Sequence, residues 1–328
     1  MYRWPGSGRP LPRSHPAPKP VEGNLMQPVR NRPRRHIGTR ALATTASLTL
    51  VSALVTAPAA HATTTCNGLP VTIHGTNGND TIVGTDGDDV IAGLGGNDTI
   101  SGLFGNDVIC AGGGNDTVYG ESETIVSPGA IPTSNDSIFG EGGNDLLVGD
   151  IGTASLVVGA GVVGGDDYID GGEGGDTIAG TTLTGTLTSV NVSATVNNDH
   201  LIGGPGADVI YGHAQAVEII AGGSISLNGG NTIIDGGDGA DVLYGDFETY
   251  TITVTGTATV AGWRDTIFGG GGSDTIYGDA KNGNGNVTPL PPGTNDTIDG
   301  GPEANDIADA GPGTDTCTNV ENATDCEL

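Results

Sequence analysis

The sequence predicts an all-β chain wound as a parallel β-roll (a β-solenoid) of about nine coils, with β-hairpin or loop insertions along one edge. Three observations lead there. Glycine supplies 60 of 328 residues and aromatic residues only 4%, too little bulk for a thick core. From Gly75 the chain repeats every nine residues. From Asp136 it repeats every 31–33 residues without losing the shorter unit.

The formal net charge of −28 averages two unlike segments. Residues 1–62 hold nine of the eleven Lys and Arg and one acid, Glu22. Residues 63–328 hold 38 acids against Arg264 and Lys281, a net of −36. Phosphate binding needs Lys and Arg, so this balance argues against nucleic acid and favours a cation as partner.

The basic segment reads as an export leader. Arg30, Arg32, Arg34, Arg35 and Arg40 precede an uncharged, mildly apolar stretch over residues 41–57, and Ala60-His61-Ala62 offers small residues for cleavage near Ala62. Arg34-Arg35 leaves the twin-arginine and general routes both open, and Met26 is an alternative start. No apolar run in the mature chain is long enough to span a bilayer. A secreted, extracellular protein is therefore expected. In that oxidising compartment the four cysteines, two early and two at the very end, suggest Cys66–Cys110 and Cys317–Cys326 among three formal pairings.

The nine-residue unit occupies 75–83, 84–92, 93–101, 102–110 and 111–119, and reads Gly-Gly-x-Gly-x-Asp-x-U-x with U a large apolar residue. Glycines let five residues curl into a tight turn with bare carbonyls. Those carbonyls and the fixed Asp supply the hard oxygens that calcium takes six to eight at a time. The x-U-x triplet is a short strand that buries one side chain. Two units close a coil, and coils stack by parallel pairing about 4.8 Å apart, so that nine make a body about 40 Å long.

The unit resembles the RTX (repeats-in-toxin, haemolysin-type) calcium-binding nonapeptide. That resemblance implies a parallel β-roll with each ion between turns of successive coils, shared by repeats n and n+2. Classical members leave through an uncleaved C-terminal signal; this chain has an N-terminal leader and a cysteine-closed end instead.

After Gly120 the unit survives in alternate positions. Clean copies at 140–148, 171–179, 203–211, 236–244 and 269–277 alternate with openers at Asp136, Asp167, Asp199, Thr232, Asp265 and Asp296, each preceded by an insertion. Odd repeats therefore carry Asp80, Asp98, Asp116, Asp145, Asp176, Asp208, Asp241 and Asp274, expected as an unbroken row of metal ligands. Even repeats carry Asp89, Asp107, Asp136, Asp167, Asp199, Thr232, Asp265, Asp296 and Asp315, with glycine turns only near the ends. Repeat 17, ending in Asp306, has one extra residue, and the tail after Asn319 is expected as a cap.

Residues 183–196 and 249–260 alternate apolar with Thr or Ser, which argues for strands. Gly185 and Gly256 are candidate bends. The insertions are expected to project from one edge and pair as an added sheet, and residues 281–294 to be a plain loop. The resulting organisation is 1–62 leader, 63–120 N-terminal cap and tandem nonapeptides, 121–309 roll with insertions, and 310–328 C-terminal cap.

Three functions compete. The first is a calcium-binding roll, a monomer, that folds on taking up roughly 8–12 Ca2+ and so offsets about 16–24 charges. The second is an adhesive module that grips cell wall or polysaccharide through the Thr-rich insertions. The third, an enzyme, is not expected: His-Glu-x-x-His and Gly-x-Ser-x-Gly are both missing from the sequence, and the six histidines are scattered.

Overall fold

The computed structural model describes residues 65–127, 131–132, 134–156, 161–189, 192–195, 198–255, 258–261, 263–279, 282–285, 295–302 and 305–326. All lie in the second of two compact units, Ala59–Leu328. The expected leader and its cleavage site lie outside the described residues.

Each x-U-x triplet forms a strand of a parallel ladder, and there are two ladders. The first runs through ten strands, from Ile73–His74, Val90–Gly95 and Val108–Gly113 to Thr297–Asp299 and Thr316–Thr318. The second also has ten, from Thr81–Val83 to Asn322–Thr324. Successive strands within a ladder belong to alternate repeats, as two units per coil require. The described residues contain no helix.

The U side chains meet between the ladders. Ile91, Ile109, Ile138, Ile169, Leu201 and Ile234 line one side and Ile100, Val118, Leu147, Ile178, Ile210 and Leu243 the other, all fully buried. Each contributes about 1.5–3 kcal/mol of burial. The core is thus two facing stacks one residue wide. The change from the short to the long period leaves register untouched: Ile109 pairs with Ile138, and Val118 with Leu147.

The insertions project from one edge and pair with one another, as expected, but in two parallel sheets and without hairpins. One sheet comprises Ser122–Ser127, Ile151–Leu156, Thr182–Ser189, Ala214–Ala221, Phe247–Val254 and Asn282–Gly285. The other comprises Ile131–Pro132, Gly161–Val163, Val192–Thr195, Ile225–Asn228 and Ala258–Ala261. Five turns therefore carry four strands each. The reason is the 31–33-residue period: it places an equivalent strand in register on the next turn, so the partner is there and not across a hairpin. Both sheets feed a second core of Ile151, Leu187, Ile219, Ile225 and Ile252 with Phe247 and Trp263.

Two further expectations change. Gly185 lies inside a straight strand, opposite Ala154 and Val217, and marks no bend; Gly256 lies outside the described residues. Within the expected loop 281–294, Asn282–Gly285 is a strand paired with residues 249–252, because the ladder beneath offers a complete row of backbone partners.

Both ends are closed covalently. Cys66, on a short antiparallel pair with Leu69–Pro70, bonds Cys110; Cys317, on the last strand of the first ladder, bonds Cys326.

Candidate metal centre

The repeat aspartates stand in two columns, one along each edge of the roll. Within a column the backbone N–H of one Asp donates to Oδ1 of the equivalent Asp a coil later. In the odd column Asp98 donates to Asp116 at 2.7 Å, Asp116 to Asp145 at 2.7 Å and Asp176 to Asp208 at 2.7 Å. In the even column Asp107 donates to Asp136 and Asp136 to Asp167, both at 2.8 Å. Each carboxylate thereby satisfies an amide at the end of a turn, just before the strand begins.

The second carboxylate oxygen has no such partner. Oδ2 of Asp98, Asp107, Asp116, Asp136, Asp145, Asp167, Asp176, Asp199, Asp208, Asp241, Asp265 and Asp306 is buried without a hydrogen-bond donor. What faces it is another acceptor. A Cβ on Gly171 would lie 2.5 Å from Asp176 Oδ2 and 2.6 Å from Gly203 O; one on Gly236 would lie 2.7 Å from Asp241 Oδ2 and 2.5 Å from Gly269 O. Asp176 and Gly203 belong to repeats n and n+2, so the turn brings oxygens of successive coils to one point. Only glycine leaves that space open.

Two acceptors facing each other in a buried site repel unless a proton or a cation stands with them. Among the described residues no three His, Cys, Asp or Glu side chains converge as a metal cage. An ion held here takes at most two carboxylates and completes its shell from carbonyls and water, which suits hard, oxygen-seeking calcium.

Electrostatics point the same way. Burial pushes Asp107, Asp145 and Asp241 up to about 7 and Asp208 to about 6. It pushes Asp199 to about 8, and with the help of nearby Glu121 it takes Asp136 to about 9. Asp167 and Asp265 are raised well above the usual carboxylate range by burial and then by the next aspartate of their column. In a folded roll without a cation, Asp136 and Asp199 hold protons at neutral pH.

A profile of the RTX calcium-binding nonapeptide repeat matches residues 74–109, 93–123, 133–156, 164–182, 193–216, 226–247 and 264–282. The chain belongs to this family. Comparison with curated proteins returned no match. The RTX repeats here lie in a β-roll, and their family is calcium-binding.

The expected ligands do not all stand alike in this RTX roll. In the first two repeats Oδ2 is engaged: Thr76 Oγ1 donates to Asp80 Oδ2 and Thr85 Oγ1 to Asp89 Oδ2, each at 2.8 Å. Asp274, Asp296 and Asp315 continue the amide ladder as acceptors at 2.8–2.9 Å. Repeat 17, despite its extra residue, keeps Asp306 fully buried and accepting from Asp274 at 2.9 Å. Thr232 interrupts the even column, although its amide still donates to Asp265 Oδ1 at 2.8 Å.

Some supporting residues were missed in the sequence. Where Asn precedes the repeat Asp it forms an outer ladder: Asn79 Oδ1 accepts from Asn97 N at 2.9 Å, and Asn97 Oδ1 from Asn115 N at 3.1 Å. Its recurrence at one template position was the available signal. Glu321 ends the odd column by accepting from Asp306 N and Asn305 N, both at 2.9 Å. A third buried column, Glu121, Asp150, Thr181, His213 and Asp246, follows the glycine after each clean unit, at the second template position, where the nonapeptide pattern has glycine.

Proposed function

We propose that this is a secreted calcium-binding β-roll that folds on taking up multiple calcium ions, roughly 8–12, through its Gly/Asp turns. One observation carries the reading: two columns of buried aspartates whose outer oxygens face turn carbonyls with no donor between them. The aspartates proposed as ligands are those of the odd and even columns from Asp98 onward; Asp80 and Asp89 begin the columns. With only thin apolar stacks to oppose chain entropy, the mutual repulsion of these carboxylates keeps the metal-free chain unfolded at neutral pH. Calcium supplies what the core does not. The two disulfides fit an oxidising compartment, and the Arg-rich leader with its apolar stretch fits export. The protein in this reading has no catalytic role.

Far-ultraviolet circular dichroism tests it. The chain should be disordered in chelator and gain β signal in millimolar calcium; a β spectrum indifferent to chelator would defeat the reading.

A second reading, attachment to cell wall or glycan, draws on one feature. A shallow groove of about 350 Å³ crosses the first insertion sheet, lined by Thr153, Thr184, Thr186, Thr249 and Thr251 among others. Placing Arg at Thr184 and Thr251 should abolish retention on cell-wall polysaccharide and leave calcium folding intact; unchanged retention would remove this reading.

A further inference from the structure

We propose that the widened edge of the roll carries additional calcium sites, built with acids at a position where the nonapeptide pattern has glycine: Glu121 and Asp150 at one end, Asp246 at the other. This rests on the reading that the roll binds calcium, and adds ligands which the repeat does not provide.

The column begins with position in the chain. Glu121, Asp150, Thr181, His213 and Asp246 each follow the glycine that closes a unit, where the insertion departs and the glycine turn is lost. Their backbones stack: Glu121 N donates to Asp150 O at 2.9 Å, Asp150 N to Thr181 O at 3.2 Å, Thr181 N to His213 O at 3.0 Å and His213 N to Asp246 O at 3.1 Å. All five side chains are 3% exposed or less.

One oxygen of each N-terminal acid is satisfied. Glu121 Oε1 accepts from Ser134 N at 2.7 Å, and Asp150 Oδ1 from Gly165 N at 3.1 Å. The others, Glu121 Oε2, Asp150 Oδ2 and Asp246 Oδ1, have no donor, and neither does the buried Thr181 hydroxyl. Thr181 is the independent witness, because it is not an acid. Its Oγ1 and Asp150 Oδ2 converge: a Cβ on Gly164 would lie 3.3 Å from the one and 3.2 Å from the other.

The even aspartates arrive at the same places. A Cβ on Gly149, the residue before Asp150, would fall on Asp167 Oδ2; a Cβ on Gly120, the residue before Glu121, would fall on Asp136 Oδ2. A Cβ on Gly245, the residue before Asp246, would lie 2.8 Å from Asp265 Oδ2. Carbonyls of the next coil stand there as well: Gly180 O beside Gly149, Gly149 O beside Gly120 and Gly278 O beside Gly245. Carboxylate, hydroxyl and carbonyl oxygens together form a hard donor set that suits calcium.

The middle of the column makes the contrast. His213 stands one rung before Asp246, and Thr232 one rung before Asp265, so this rung carries no acid in either column. His213 instead packs edge-on against Phe247 and Trp263, at ring separations of 5.8 and 5.4 Å. At this rung neither column has a carboxylate, and aromatic rings fill the space; at the Thr181 rung Asp199 of the even column remains, beside Gly180. Acids of the two columns share a rung at Glu121, Asp150 and Asp246. Among the described residues the one Lys or Arg is Arg264, and it is exposed; the buried base beside the column is His213, whose Nε2 lies 3.9 Å from Asp246 Oδ1.

The test counts calcium on the full chain. Native mass spectrometry and equilibrium dialysis would compare wild type with Asp150→Asn and Asp246→Asn. Each variant should bind at least one ion fewer than wild type while keeping its calcium-induced β signal. Wild type binding no calcium would overturn this proposal together with the reading of the roll. Variants that match the wild-type count at every calcium concentration would overturn the added sites and leave the roll standing. Infrared spectroscopy of calcium-saturated wild type at pH 7 needs no variant: it should show no absorption of buried protonated carboxyls, and such a band would mean that protons, not ions, neutralise the column.

Discussion

The backbone amide of Asp116 donates to Asp145 Oδ1 at 2.7 Å across 29 residues of sequence. Earlier in the same column the step is 18 residues, from Asp98 to Asp116, with the same length of 2.7 Å. The ladder is therefore indifferent to what the chain does between coils. That tolerance lets insertions of different length grow from one edge while the aspartate columns stay in line. It also separates the residues that should matter for calcium from those that only look alike in sequence.

Asp116 and Asp89 occupy the same template position but not the same environment. Asp116 Oδ2 is buried without a donor, whereas Asp89 Oδ2 is held by Thr85. Asp116→Asn should weaken calcium binding at its own turn about tenfold, equivalent to about 1.4 kcal/mol lost from the calcium-loaded roll. Asp89→Asn should weaken it less than about twofold, around 0.4 kcal/mol on the same scale. A calcium titration followed by circular dichroism reads both; equal shifts would put the first turns among the sites.

The raised carboxyls make the metal-free fold depend on pH in a definite direction. An unfolded Asp titrates near 3.9. In the metal-free roll burial lifts Asp107, Asp145 and Asp241 to about 7 and Asp136 to about 9. The folded state then holds more protons than the unfolded one, so its stability is greatest below about pH 4 and falls as pH rises through these higher values. In chelator the chain should show more β signal at pH 4.5 than at pH 7.5, and calcium added at pH 4.5, where the metal-free roll is folded and protonated, should release protons. Calorimetry in buffers of different ionisation enthalpy measures that release; no buffer dependence would contradict it.

The U stack should carry the stability of the calcium-loaded state. Leu147→Ala or Ile169→Ala, each at a fully buried position, should cost about 2–5 kcal/mol. Ile233→Thr, at a position 43% exposed on the outer side of the same ladder, should cost less than about 0.5 kcal/mol. Denaturant melts in millimolar calcium decide between them; similar losses at both positions would deny the stack its role.

Reduction of the disulfides should weaken folding without abolishing it. Cys66–Cys110 closes a span of 44 residues, which corresponds to roughly 4 kcal/mol of loop entropy. A Cys66→Ala, Cys110→Ala double variant should need more calcium to fold, yet reach the same final spectrum. Failure to fold at any calcium concentration would make the bridge, and not the ions, the determinant of structure.

Much of this was legible in the chain because the signal is local and repeated. A buried Ile or Leu two residues after each Asp specifies strand, face and coil at once. The spacing of openers from Asp136 to Asp296 specifies the longer turn. What escaped depends on neighbours 31–33 residues away. Thr182–Ser189 reads alone as a hairpin arm with a bend at Gly185; only the equivalent Ala214–Ala221 beside it makes it one straight rung of a parallel sheet. Asn282–Gly285 has no strand propensity of its own and is ordered by Thr249–Ile252. Glu121, Asp150 and Asp246 stand far apart in the sequence, and only stacking shows that they form one column. Thr76 and Thr85 resembled any variable turn position until their hydroxyls were seen on Asp80 and Asp89.

The central claim is that ions, more than the apolar core, hold the coils together. Hydrogen exchange at the aspartate amides tests it most directly, since Asp98, Asp107, Asp116 and Asp136 each donate to the carboxylate of the next coil. In millimolar calcium these amides should be strongly protected, and in chelator at pH 7.5 they should exchange as in an unfolded chain. Equal protection in both conditions would contradict the account.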